Sequence, residues 1–71
     1  MIWLKADLLK GEIRGRGMTQ EDVACKIGLS LSRFNAKLNE TGGAEFSLGE
    51  IRSLKELFHL GAKQVDEIFF S

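Results

Sequence analysis

Proline and tyrosine are absent from this chain, and cysteine, histidine and tryptophan each occur once. Without proline no segment is barred from helix on steric grounds, so helix ends must be set by glycines and capping residues. A lone cysteine, Cys25, excludes an intramolecular disulfide and leaves no cysteine pair at metal-ligand spacing. One histidine, His59, with no carboxylate at a spacing that resembles a metal site or a catalytic triad, argues against an enzyme. No catalytic residue, metal or cofactor is therefore expected. Long hydrophobic runs are missing too: no stretch of more than six residues escapes Asp, Glu, Lys or Arg. That excludes a membrane-spanning segment and a secretory hydrophobic region, and makes the cytoplasm the expected location.

The chain also lacks net charge, its 10 Lys and Arg balancing 10 Asp and Glu. A protein that binds nucleic acid usually needs a basic surface, so the distribution matters more than the total. Residues 1 to 37 carry seven cations against four acids, a net +3, and the remainder carries the compensating −3. This polarity is small but fits one nucleic-acid face. With 71 residues, 44% hydrophobic and 28% charged, the composition is that of one globular domain spanning 1–71 rather than of a disordered tail. A chain this short buries only about 60% of its unfolded surface, so its stability should be modest.

Apolar periodicity predicts five short helices and no strand. The first runs from Ala6 to Gly15 with Leu8, Leu9 and Ile13 on one side, Gly11 as an internal weak point, and Gly15-Arg16-Gly17 as its end. The next three begin at Thr19, Ser30 and Ser47, each a favourable N-cap. Each cap follows an apolar residue that can staple back onto the helix, pairing Met18 with Val23, Leu29 with Phe34, and Phe46 with Ile51. Asp22 and Glu50 stand three residues after their caps, as a capping box requires. The fourth helix carries a core stripe of Leu48, Ile51, Leu54, Leu57 and Phe58, and the fifth carries Val65, Ile68 and Phe69.

Only Gly28 and Leu29 separate the second helix from the next cap, too few for a parallel-packed hairpin. A steep crossing is expected, with Gly28 left-handed and Ala24 small enough for close backbone approach. On their own, these caps and stripes describe a five-helix domain of any function.

The stretch Thr19-Gln20-Glu21-Asp22-Val23-Ala24-Cys25-Lys26-Ile27-Gly28-Leu29-Ser30-Leu31-Ser32-Arg33-Phe34 resembles the lambda-repressor-like Cro/CI helix-turn-helix family. It shares the opening Thr-Gln, the alanine four residues after the glutamine, the glycine four after that, and the Leu-Ser turn. Leu9-Lys10-Gly11-Glu12-Ile13, Lys37-Leu38-Asn39, Glu45-Phe46 with Glu50-Ile51, and Ile68-Phe69-Phe70 are similar to short phage and prophage regulators, so nearly the whole chain is covered. The resemblance implies a compact all-α, five-helix DNA-binding domain whose helix-turn-helix occupies about 19–39. It further implies a transcriptional regulator that binds operator double-stranded DNA as a homodimer.

Helix geometry then selects candidate contacts. With Phe34 and Leu38 inward, Ser32, Arg33, Ala36 and Asn39 point outward, Asn35 lies at the border, and Leu31 sits at the tip after Ser30. Recognition helices of this class enter the major groove N-terminus first, which favours Leu31, Ser32 and Arg33 as base contacts. Arg33 suits guanine, and Leu31 or Ala36 suits a thymine methyl. Many relatives carry hydrogen-bonding side chains where Leu31 and Ala36 stand. Gln20 resembles the family's phosphate-clamping glutamine, with Lys37, Asn39 and Arg16 as secondary phosphate contacts. Trp3, Ile68, Phe69 and Phe70 are the dimerisation candidates, the alternative being that they close the core. The rival function is a fold of this kind reused as a protein-binding module or antirepressor that pairs with a partner regulator, favoured by neutral charge, Leu31 and Ala36.

Overall fold

The computed structural model describes residues 4–70. Among the described residues there are five α-helices and no strand: α1 (Ala6–Gly15), α2 (Gln20–Lys26), α3 (Leu31–Leu38), α4 (Leu48–Phe58) and α5 (Ala62–Phe69), with a short turn at Thr41–Gly43 between α3 and α4. Among the described residues no helix is long and apolar enough to cross a membrane.

The helix starts follow from local hydrogen bonding. Thr19 Oγ1 accepts from the Asp22 amide at 3.1 Å while the Asp22 carboxylate accepts from the Thr19 amide at 3.0 Å. Ser47 and Glu50 repeat that reciprocal pair at 3.1 and 2.8 Å. Ser30 Oγ accepts from the Arg33 amide at 3.2 Å without a reciprocal acid. Each box satisfies two of the amides that a helix start leaves without an intrahelical partner.

The ends are as local as the starts. Gly17 takes φ +68°, and the amides of Gly17 and Met18 donate back to the carbonyls of Arg14 and Ile13. The end of α4 has the same bond pattern with His59 at φ +54°, its amide and that of Leu60 returning to Glu56 and Lys55. These are paired C-terminal caps of the Schellman type, and at His59 a side chain occupies the position that glycine usually fills.

Among the described residues the twelve that are buried form one core: Leu9 and Ile13 of α1, Val23 and Ala24 of α2, Phe34 and Leu38 of α3, Ile51, Leu54 and Phe58 of α4, Leu60, and Ile68 and Phe69 of α5. Phe46 packs edge-on between Phe34 and Phe69, with centroids at 5.6 and 6.1 Å, so the apolar residue before the α4 cap joins three elements. Met18 and Leu29 also pack partly buried against the core, as their staple positions suggest. The Lys5 amide donates to the Ile68 carbonyl at 2.7 Å, tying the segment before α1 to α5.

Three apolar assignments need correcting. Leu8 is 44% exposed, because Leu9 and Ile13, four residues apart, set the buried face and Leu8 lies a fraction of a turn away. Leu48 is 76% exposed: as the first helical residue after the Ser47 cap, it extends past the body of the core that Ile51 and Leu54 reach. Ile68 and Phe69 are not the exposed pair expected of a dimer surface, because the inward face of α5 buries both within the chain itself. Phe70 is half-buried, and Trp3 lies outside the described residues.

Candidate nucleic-acid interface

The connection from α2 to α3 is built from backbone geometry. Gly28 adopts φ +80°, its amide donates to the Cys25 carbonyl at 3.2 Å, and the Leu29 amide donates to the Ala24 carbonyl at 2.8 Å. These bonds terminate α2 and redirect the chain within two residues, after which Ser30 caps α3. Val23 and Ala24 are buried from one side of the bend, and Phe34 and Leu38 from the other. Cys25 faces outward on α2.

Burying Phe34 and Leu38 leaves the first turn of α3 outside: Ser30, Leu31, Ser32 and Arg33 are all exposed, with Leu31 at 38%. Asn39 is exposed beyond the end of the helix, whereas Asn35 and Ala36 are half-buried along its middle. The candidate surface of α3 is therefore its N-terminal tip rather than its whole length. No acidic residue lies in the first turn of α3, whereas the other two hydroxyl-capped helices carry Asp22 and Glu50 there. The positive end of the α3 dipole thus has no acid of its own first turn to offset it.

Gln20, half-buried at the start of α2, lines a small polar pocket of about 130 Å³ with Lys10, Arg14, Ile13 and Met18. Lys10 and Arg14 are four residues apart on α1, so one helix face presents both cations beside the Gln20 amide. Neither cation was singled out from the sequence. Their four-residue spacing was visible there, but their proximity to Gln20 exists only once α1 has packed near α2.

Two secondary phosphate candidates are engaged inside the fold. Both oxygens of Glu50 lie 2.7 and 2.8 Å from the Lys37 ammonium, and the pair is largely shielded from solvent. Burial raises the Glu50 pKa, but its hydrogen bonds to Lys37 and to the Ser47 amide outweigh that and hold it below the ordinary glutamate value. The Arg16 guanidinium donates to the Phe58 carbonyl, sits 5.1 Å from the Phe58 ring centre and pairs with Glu12 at 3.2 Å. It ties the end of α1 to the end of α4 and places positive charge where the α4 dipole is negative. The Asp22 carboxyl is also held below its ordinary value, chiefly by the Thr19 amide it caps.

Compared with protein-family models, curated proteins and solved structures, the chain has no match.

Proposed function

We propose that α2, the Gly28–Leu29 bend and α3 form a helix-turn-helix, and that the chain is a sequence-specific DNA-binding transcriptional regulator of the lambda-repressor-like Cro/CI type, as found in phages and prophages. The observation that carries this reading is the exposed N-terminal tip of α3, Ser30 to Arg33, held outward by the burial of Phe34 and Leu38 and free of acid in its first turn. Such a tip meets base edges in the major groove, with Arg33 reading guanine bidentately and Ser32 and Leu31 beside it. Gln20, Lys10 and Arg14 hold a phosphate. Asn39 contacts backbone past the helix end, and half-buried Asn35 and Ala36 contribute less. Lys37 has its charge answered by Glu50 and acts from a distance at most.

One module of this size offers few base contacts, so the protein binds as a dimer on two half-sites about one helical turn apart. With Ile68 and Phe69 in the core, that dimer forms through other surfaces. The test is selection of duplexes from a random pool at low salt, using the native protein and Arg33→Ala. An enriched motif of two-fold symmetry that the variant relaxes is the expected result. No enrichment by the folded protein would discard sequence-specific binding by this chain.

The exposure of Leu31 favours a second reading, in which the tip of α3 docks on a partner regulator protein. An apolar contact of that kind would be almost insensitive to salt, whereas DNA affinity must fall steeply as salt rises.

A further inference from the structure

Away from the tip of α3, a groove of about 360 Å³ lies between the start of α4 and the end of α5. Leu4, Phe46, Leu48, Ile51, Phe69 and Phe70 give it an apolar lining, and Leu48 carries that lining out to the surface. Ser47 and three charged side chains, Lys37, Glu40 and Glu45, complete it. The Lys37 ammonium is already neutralised by both oxygens of Glu50. Neither Glu40 nor Glu45 has an ion-pair partner among the described residues. The groove is thus apolar inside, with two uncompensated carboxylates at its edge.

This combination selects its occupant. Nucleic acid is repelled by the two carboxylates and has nothing to place against six apolar side chains. A second copy docked groove to groove would offer Glu40 and Glu45 only the same surface, whose one cation, Lys37, is already held by Glu50, so it brings no free positive charge to the acidic edge. We infer that the groove seats an amphipathic helical segment of a partner protein, its apolar face against Phe46, Leu48 and Phe70 and its flanking Lys or Arg side chains over Glu40 and Glu45. Anchors one helical turn apart match an open apolar trough, and the acidic edge fixes the orientation and speeds the encounter. Leu31, Ser32 and Arg33 do not line the groove, so the inference is independent of the role assigned to the tip of α3.

The probe is a synthetic 14-residue helix with leucine on one face and lysine elsewhere. Its controls are a peptide with glutamate in place of lysine and a scrambled peptide of the same composition. Amide shifts of the labelled full chain are followed during titration, with the native protein, a Glu40→Lys/Glu45→Lys double variant, Leu48→Ser, Arg33→Ala and Trp3→Ala. Both reversed positions are exposed and hold no ion pair among the described residues, and a thermal melt checks folding. The expected result is binding of the lysine peptide alone, with shifts centred on Phe46, Leu48, Ile51 and Phe70. The double variant should weaken it by about tenfold or more, Leu48→Ser should weaken it, and Arg33→Ala should leave it unchanged. Equal binding of the three peptides, or no loss in the double variant, would overturn the proposal. So would groove shifts that depend on protein concentration without peptide, which would assign the groove to a second copy. Binding seen only with Trp3→Ala would assign it to the chain's own first residues.

Discussion

His59 shows how much a single residue can hold back. It sits at φ +54° at the end of α4, where an L side chain costs about 1 kcal/mol or more relative to glycine. His59→Gly should therefore raise stability by about 1 kcal/mol in urea denaturation, with no change in the slope of the transition. Glu50 has the opposite character, since one carboxylate caps α4 and answers Lys37. Its pKa is lowered in the folded chain, so its contribution is complete above the unfolded-state value and fades as pH falls through the folded one. The stability difference between the native protein and Glu50→Gln should be constant near neutrality and shrink only in the acid range below the ordinary glutamate pKa. A difference that instead grew on acidification would contradict the lowered value.

At the scale of elements, the glycines divide into those that shape the chain and those that only weaken it. Gly28 takes the left-handed conformation that lets α2 stop and α3 begin two residues later, so Gly28→Ala should destabilise by about 1 kcal/mol. Gly11 lies inside α1 with open space where a Cβ would go, so Gly11→Ala should stabilise by about 0.5–1 kcal/mol. Thermal melts of the two variants should shift in opposite directions.

The same contrast marks what the sequence made legible. The caps at Thr19, Ser30 and Ser47, the left-handed Gly28 and the span of α1 were readable because each is fixed by residues within a few positions of one another. Exposure of Leu8 and Leu48, the choice between core and dimer surface for Ile68 and Phe69, and the pairing of Lys37 with Glu50 were not, because each depends on where a distant helix comes to rest. At the candidate interface, the exposed tip of α3 was legible from helix geometry. The Lys10, Arg14 and Gln20 pocket was not, for it joins α1 to α2.

For the molecule as a whole, zero net charge means that any affinity for DNA must come from a local arrangement of cations. Removing Lys10 or Arg14 should weaken binding about equally on all sequences and reduce the salt slope by about 1, whereas Arg33→Ala should cost about 1–3 kcal/mol at one base position. Titrations of operator duplex at several salt concentrations separate the two effects, and equal behaviour of all three variants would remove Arg33 from the base-reading role. The lone thiol offers a further view of that complex. Cys25 is exposed on α2, next to the bend, so one spin label per chain would ride with the element proposed to meet DNA. If the proposed dimer forms, two chains on adjacent half-sites about 34–36 Å apart would then give a single dipolar distance, turning an accident of composition into a ruler for the proposed complex.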